Sequence, residues 1–143
     1  MKLVFDAPGL MTYLDEVFPQ IIGEFAVDAL HPGALTMRLK VGERHLRPGG
    51  TVSGPSMFAL ADVAVYALVL AHCGAEALAV TTNASLDFMR KPENGRDLLA
   101  EARLLKLGRR LAVGDVLLFS EGMTEPVARA TLTYAIPPKS SDL

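Results

Sequence analysis

The sequence predicts an α+β domain in which a curved antiparallel sheet wraps around one long central helix. The stretch 56–73 contains neither glycine nor proline and is apolar on nearly every face, and a helix that is apolar all round is buried all round. Six segments with strand-like alternation surround it, two before and four after. This order is not the βαβ alternation of a parallel sheet. A length of 143 residues suits one core, so we expect a single domain over 1–143.

Composition and charge exclude several classes of protein. Half of the residues are hydrophobic, and a net charge of −2 lacks the basic excess that nucleic-acid binding requires. Cys73 is the single cysteine, and His45 and His72 have no acidic or cysteine partners at metal-ligand spacing. Asp6 interrupts the apolar core that a signal peptide needs, and the uncharged run 63–75 is too short to cross a bilayer. We therefore expect a cytoplasmic protein with no metal, nucleic-acid or membrane partner.

The N-terminal part predicts one short helix and a β-hairpin. Residues 9–18 are bounded by proline on both sides and have apolar side chains at helical spacing, which predicts a helix at one edge of the sheet. Two alternating segments follow, 21–30 and 34–41, and a Pro32-Gly33 pair lies between them. Proline presets φ at the second position of a turn and glycine adopts a positive φ at the third. The two segments are therefore expected to pair as a hairpin.

The C-terminal half predicts four more strands. Apolar and polar residues alternate over 79–90, 98–107, 111–119 and 127–136, which is typical of half-buried strands. In the first of these segments strict alternation places Thr81 on the polar face. The spacing of all four is close to that of hairpins.

The central helix begins in a glycine-rich loop and carries one charge. Pro55 suits the first helical position, and Gly74 ends the helix. Between Arg47 and Glu76 the only charged side chain is Asp62, and its neighbours three and four residues away are apolar or aromatic. A lone carboxylate in such surroundings is costly to bury unless it is paired, hydrogen-bonded or hydrated. Asp62 is therefore the leading candidate for a functional residue, with a purely structural carboxylate as the alternative.

Three motifs together resemble one enzyme family. The helix carries Leu-Ala-Asp at 60–62, a strand ends in Leu-Asp-Phe-Met-Arg-Lys-Pro at 86–92, and Gly-Arg-Arg-Leu-Ala-Val follows at 108–113. In this order and spacing they are similar to the hotdog-fold acyl-CoA thioesterases of the phenylacetate-pathway type, over about 45–136. The resemblance implies a hotdog fold and hydrolysis of small or medium acyl-CoA thioesters, aromatic ones included. Coenzyme A is then part of the substrate, and no separate cofactor is expected.

The core motif of that family is matched in part. It reads His, any residue, Asn, two residues, Gly, two residues, His-Gly-Gly, followed by Leu-Ala-Asp on the helix. Here His45 and Gly50 match, whereas Arg47 stands at the Asn position and Ser53 at the second His. The amide that positions water in the family is therefore missing. We expect Arg47 to contact the substrate or a phosphate in its place, and Ser53 to be a further substrate-binding candidate.

By resemblance, three residues carry the reaction. Asp62 matches the catalytic carboxylate, which acts as general base or as nucleophile. Gly54 matches the residue whose backbone N–H polarises the thioester carbonyl. Thr81 falls at, or one residue from, a hydroxyl position that supports the carboxylate or its water. The alternative interpretations are an ordinary strand threonine at 81 and a glycine at 54 that only marks the start of the helix.

The chemistry of the reaction predicts a site between subunits. Hydrolysis needs a base or nucleophile and a donor at the developing oxyanion. Pro55 has no N–H, so the donor at the positive end of the helix dipole is Gly54 or Ser56. Gly54 and Asp62 are eight residues apart, about 12 Å along a helix, and do not easily serve one carbonyl from the same chain. We therefore expect a homodimer or a dimer of dimers in which one subunit supplies each group.

Further side chains are candidates for binding the substrate. Pairs of cations at a strand end and at a turn suit nucleotide phosphates, and these pairs are Arg90 with Lys91 and Arg109 with Arg110. Aromatic and methionine side chains suit an acyl pocket, and these are Met57, Phe58, Tyr66 and Met89. Tyr66 lies one turn beyond Asp62, so its hydroxyl alternatively hydrogen-bonds that carboxylate. Solvated turn charges and ordinary core packing are the alternative interpretations of these two groups.

A protein of another class is also compatible with these motifs. The residues at 47 and 53 suit a non-catalytic module that keeps an acyl-CoA cleft and has lost turnover. A hotdog dehydratase or hydratase is disfavoured, because those enzymes use a His with an acidic partner and no His lies near Asp62 on the helix.

Overall fold

Within residues 1–74 and 77–138, which the computed structural model describes, six strands form one antiparallel sheet around a long helix. The helices and strands, in chain order, are α1 Ala7–Val17, β1 Phe25–His31, β2 Ala34–Leu39, α2 Gly54–Cys73, β3 Val80–Phe88, β4 Leu98–Leu107, β5 Leu111–Ser120 and β6 Ala128–Ala135. The predicted α+β hotdog fold, with a curved sheet wrapped around a central helix, is confirmed. The tail 139–143, which its polarity predicts to be frayed, lies outside the described residues.

Helix α2 is the core of this fold. It packs on β2, β4 and β5 at the centre of the sheet. The helix is long and apolar enough to cross a membrane, but 61% of its most apolar stretch is buried inside the protein. The largest fully buried side chains come from the helices and from the inner face of the sheet, among them Leu10, Leu14, Met37, Leu39, Leu60, Leu68, Leu70, Leu98, Leu118 and Leu132. The apolar character of α2 therefore reflects burial against the sheet.

Both α-helices begin slightly earlier than predicted, because their capping residues extend the first turn. The carboxylate of Asp6 accepts the Gly9 N–H at 2.7 Å, and Pro8 fits within the first turn of α1. The Ser53 hydroxyl accepts the Ser56 N–H at 3.3 Å, which starts α2 at Gly54.

The predicted β1–β2 hairpin is confirmed, but the first strand is shorter than predicted. His31 pairs with Ala34, and Gly33 adopts a φ of 76° in the turn, as its position requires. A 3-10 turn, Pro19–Ile21, replaces the start of the predicted strand 21–30. Proline removes a ladder donor, and Gly23 with a φ of 84° turns the chain before β1 begins.

The strand order is β1-β2-β4-β5-β6-β3. The hairpin-like spacing therefore holds for β4, β5 and β6, but β3 does not pair with β4. It crosses to the far side of β6 and forms an edge of the sheet. Most side chains of β3 are exposed to solvent. The exposed fraction is 55% for Val80 and 54% for Phe88.

A buried glycine sets the distance between the core helix and the sheet, and its replacement is expected to lower stability. A Cβ at Gly114 on β5 would lie 2.9 Å from both γ-methyl groups of Val65 on α2. Gly114→Ala therefore overpacks the core, and we expect urea unfolding to show a loss of about 1–3 kcal/mol. Val65→Ala removes the γ-methyl groups that this Cβ would contact. In the double variant we therefore expect a loss in the free energy of unfolding smaller than the sum of the losses in the two single variants. A Gly114→Ala variant as stable as the parent would contradict this close approach.

Candidate active site

Asp62 lies on the wall of a cavity that borders α2. This first cavity has a volume of about 910 Å³, and α2, the end of α1, the β1–β2 hairpin and the start of β3 surround it. Its lining is mainly apolar and aromatic and includes Phe18, Phe25, Leu39, Phe58, Val63 and Tyr66. A half-buried carboxylate at the edge of an apolar chamber is typical of a reactive group beside a binding pocket.

Two hydroxyl groups bind one oxygen of this carboxylate. Thr81 Oγ1 donates to Asp62 Oδ1 at 2.6 Å, and Tyr134 Oη donates to the same atom at 2.6 Å. No donor from the described part of the chain reaches Oδ2. The carboxylate is therefore held through one oxygen and offers the other to the cavity.

A β-bulge explains how Thr81 reaches Asp62. Thr81 pairs with Tyr134 on β6, but the next pair in the register is Asn83 with Thr133, so Thr82 is the extra residue of a bulge. The bulge reverses the alternation, which would otherwise have placed Thr81 on the outer, polar face. The Thr81 hydroxyl thus lies where the resemblance implied a supporting hydroxyl.

Tyr134 was not predicted as a partner of Asp62, and the partner considered from the sequence was Tyr66. The Tyr66 hydroxyl donates to the carbonyl oxygen of Ala77 at 2.7 Å, so the alternative bond from Tyr66 to Asp62 is wrong. Burial, followed by the nearby Asp62 carboxylate, raises the pKa of the Tyr134 hydroxyl far above its ordinary value. The only sequence signal for Tyr134 was its place on the apolar face of the last strand, which packing alone explains.

At the N-terminus of α2, one of the two candidate backbone N–H groups is already hydrogen-bonded. The Ser56 N–H already donates to the Ser53 hydroxyl, so Ser56 is not a free oxyanion donor. The Gly54 N–H has no acceptor among residues 1–74 and 77–138. Ser53, at the position of the family's second His, is the N-cap of the helix. Gly54 is thus the donor at this end of the helix dipole that is left for a ligand.

Gly54 opens into the second cavity and not into the one that contains Asp62. This second cavity has a volume of about 460 Å³, and its lining includes Gly54, Arg47, Phe88 and Lys91. A Cβ added at Gly54 would lie 3.5 Å from the Phe88 ring, so this ring packs directly on the start of the helix. One chain therefore presents the carboxylate and the backbone donor to different cavities.

The predicted cations separate into two groups. Arg47, Arg90 and Lys91 border the second cavity, where Arg90 pairs with Glu125 and donates to the Pro126 carbonyl oxygen at 2.9 Å. Arg109 and Arg110 lie in the β4–β5 turn, at the other end of the sheet.

The register gives the separation of the two groups. Phe88, next to the first group, pairs with Ala128 on β6, whereas Leu111, next to the turn, pairs with Ala135. These two β6 residues are about 23 Å apart along an extended strand. One chain therefore does not bring all four predicted basic residues to the same phosphates.

Comparisons with known proteins identify the family. The family model named thioesterase superfamily matches residues 49–127, more than half of the chain. This chain belongs to the thioesterase superfamily. It is a thioester hydrolase by family.

Three relatives show how this thioesterase compares with known members. The human protein acyl-coenzyme A thioesterase 13 is 27% identical over 117 residues, which cover 81% of this chain and 82% of the relative. A crystal structure from a Silicibacter species, provisionally named a thioesterase, is 80% identical and superposes with a TM-score of 0.91 over 96% of both chains. An Asn-to-Asp variant of phenylacetic acid degradation protein PaaI from Thermus thermophilus is 30% identical, with a TM-score of 0.71 over 83% of this chain and 99% of the relative.

The acyl-pocket candidates of this thioesterase divide between the two cavities. Phe58 and Tyr66 line the first cavity with Asp62. Met57 and Met89 line the second cavity beside Gly54, so within one chain they do not share a cavity with Tyr66. The sequence shows that these residues are apolar or aromatic, but its spacing does not predict which of them lines which cavity.

A polar cluster that was not predicted from the sequence completes the lining of the first cavity. The Gly42 N–H donates to His45 Nδ1 at 2.8 Å, so the ring proton lies on Nε2 and donates to Glu24 Oε1 at 2.7 Å. Arg44 lies 3.3 Å from the same carboxylate oxygen. This arrangement holds His45, which matches the first His of the family motif, as a buried structural group that is 5% exposed.

Proposed function

We propose that this thioesterase hydrolyses acyl-CoA thioesters with small or medium acyl groups, aromatic ones included, to the free acid and coenzyme A. The observation that carries the proposal is Asp62, a carboxylate held by two hydroxyls on the wall of an apolar cavity of about 910 Å³. The name of the human relative, an acyl-coenzyme A thioesterase, supports the choice of thiol carrier. Coenzyme A enters as part of the substrate, in the cytoplasm, and no separate cofactor is required by this proposal.

In the proposed reaction Asp62 supplies the base or nucleophile, and the Gly54 N–H at the start of α2 supplies the oxyanion donor. Asp62 Oδ2 takes a proton from the attacking water, or itself attacks the thioester carbon. The Gly54 N–H, with the positive end of the helix dipole behind it, donates to the oxygen on which negative charge develops. Collapse of the tetrahedral intermediate breaks the C–S bond. When water attacks, the acid forms directly and the proton held by Asp62 passes to the leaving thiolate of coenzyme A. When Asp62 attacks, the thiolate leaves and takes a proton from water, and a second water hydrolyses the aspartyl anhydride to the free acid.

The proposed site is shared by two subunits. Within one chain the Gly54 N–H and Asp62 open into different cavities and are about 12 Å apart along the helix. The edge strand β3 and the adjoining face of α2 carry exposed apolar side chains, Phe88 at 54% on β3 and Phe58 at 40% on α2, which suits a contact with a second copy. We therefore expect a homodimer, or a dimer of dimers, in which each site takes Gly54 from one subunit and Asp62 from the other.

The phosphates of coenzyme A are proposed to lie near the second cavity. Arg47, Arg90 and Lys91 border it. Arg90 is paired with Glu125, so its attraction for a phosphate is weaker than that of an unpaired arginine. Arg109 and Arg110 are about one strand length away within a chain, so in this proposal they reach a nucleotide only from another subunit.

A non-catalytic acyl-CoA-binding module is the second candidate. The observation that favours it is the pair of departures at the motif, Arg47 in place of Asn and the capping residue Ser53 in place of His. Such a module would keep both cavities and the subunit contact but would not turn over.

The experiment that tests the proposal is release of free thiol from a panel of short, medium and aromatic acyl-CoAs. We expect saturable turnover with at least one of them and formation of the free acid in equal amount. Tight binding of an acyl-CoA by calorimetry without any product would instead establish the binding module. Turnover with thioesters of other thiols but with no acyl-CoA would show that the carrier is not coenzyme A.

A further inference from the structure

Two neighbouring strands direct hydroxyl groups to the same carboxylate oxygen. Thr81 on β3 and Tyr134 on β6 are direct partners in the register, and both hydroxyls lie 2.6 Å from Asp62 Oδ1. Hydrogen bonds from hydroxyls to an ionised carboxylate are short and strong. Oδ1 is therefore fully engaged, and the orientation of the whole carboxylate is determined.

Tyr134 is the more deeply buried of the two donors. Its side chain is 3% exposed, its ring lies 6.0 Å from the ring of Tyr66, and its hydroxyl also lies 3.1 Å from the main-chain oxygen of Asp62. Because burial raises the pKa of this hydroxyl, it keeps its proton and remains a donor at every pH at which an enzyme of this kind works. Rotation of the Asp62 carboxylate would break the 2.6 Å bond and leave the Tyr134 hydroxyl only the longer contact with the main-chain oxygen.

We propose that Tyr134 is a positioning residue that, together with Thr81, fixes the Asp62 carboxylate so that Oδ2 faces the attacking water or the thioester carbon. This inference rests on the proposed function, because the orientation of Asp62 matters only if Asp62 carries the reaction. Misorientation of a reacting group lowers the rate of the chemical step more than it weakens binding of the substrate. Tyr134 is therefore expected to control kcat and to leave KM nearly unchanged.

The test is steady-state kinetics of Tyr134→Phe, which removes the donor and keeps the ring. We expect kcat to fall about tenfold to a hundredfold, the scale of a hydrogen bond to a charged group, while KM stays within about twofold. Thr81→Val should lose kcat to a similar extent, and Thr81→Ser should recover most of it, because serine restores the hydroxyl. Thermal unfolding of each variant shows that the fold is intact at the assay temperature.

The matched control is Ser120→Ala, which removes another buried and hydrogen-bonded hydroxyl. Ser120 is 1% exposed and accepts the Glu93 N–H at 2.9 Å. It lies eight residues along β5 from Ala112, the partner of Tyr134, which is about 26 Å in an extended strand. We expect parental kcat from this variant. A Tyr134→Phe enzyme whose kcat falls no further than that of Ser120→Ala, or whose KM rises while kcat holds, would overturn the positioning role.

Measuring Asp62→Asn in the same series separates this inference from the proposed function. Loss of turnover in Asp62→Asn together with parental kcat in Tyr134→Phe removes only the positioning role. Parental turnover in Asp62→Asn removes the proposed role of Asp62 and the positioning role with it. Loss of kcat in both variants, with KM nearly unchanged in Tyr134→Phe, supports the inference.

Discussion

Asp62→Asn is expected to reduce the turnover of acyl-CoA by about a thousandfold or more, the upper range for removal of a catalytic base. An amide cannot take a proton from water at neutral pH and is a poor nucleophile. Its carbonyl oxygen still accepts hydrogen bonds, so the hydroxyls of Thr81 and Tyr134 keep an acceptor in the variant. The loss should therefore appear in kcat without loss of the fold. Free-thiol release at saturating substrate measures the effect.

The control for this variant is Asp15→Asn, the same chemical change at an exposed carboxylate on α1. It is expected to keep parental turnover, since surface substitutions outside special features change little. Size-exclusion chromatography with light scattering should give the same oligomer for both variants and the parent. Equal turnover in Asp62→Asn and the parent, with an intact oligomer, would exclude Asp62 from the chemistry.

The helices and most strands could be predicted because each has its own local signal. The observed bounds of β4, Leu98–Leu107, agree with the prediction, since its alternation is regular and glycine follows it. The position of β3 at the edge could not be predicted. Alternation shows which face of a strand is buried, but not which strand lies beside it. Pairing of β3 with β6 joins segments about fifty residues apart, and no local pattern records that choice.

Asp62 could be recognised from the sequence for a physical reason, whereas its partners could not. A single charge on an otherwise apolar helix needs a compensating environment, so the sequence points to the residue itself. Tyr134 supplies part of that environment, but a tyrosine on the apolar face of a strand looks like any packed aromatic residue. The bulge at Thr82 also has no turn residue to mark it, and strict alternation therefore assigned Thr81 to the wrong face.

The loop before α2 shows the limit of motif matching. Ser53 and Arg47 occupy positions at which the family has His and Asn, and the structure gives them different surroundings. Ser53 caps the helix and fixes the direction of its first N–H groups, whereas Arg47 is exposed at the second cavity. Changes at 53 are therefore expected to act through the geometry of Gly54, and changes at 47 through the charge near the thiol carrier.

Hybrid dimers built from two inactive variants are expected to regain activity if the site is shared between subunits. Gly54→Pro removes the backbone donor, and proline is tolerated in the first turn of a helix, so we expect turnover to fall about a hundredfold to a thousandfold with α2 intact. Gly54→Ala keeps the N–H and places its Cβ at an ordinary 3.5 Å from the Phe88 ring, so it should lose far less. These two variants separate loss of the donor from loss of the glycine.

A hybrid of Asp62→Asn with Gly54→Pro distinguishes the two possible arrangements of the site. In a shared site, one of the two sites of the hybrid combines the intact Gly54 of the first subunit with the intact Asp62 of the second, and the other site carries both lesions. The hybrid should then show about half of the parental turnover per dimer, as two-fold symmetry requires. If each chain formed its own site, both sites of the hybrid would carry one lesion, and turnover would stay at the level of the inactive parents.

Two different affinity tags purify the hybrid for the thiol-release assay, and a doubly tagged Asp62→Asn dimer measures the background. Because the carboxylate and the donor face separate cavities about 12 Å apart in one chain, recovery of activity is the expected outcome.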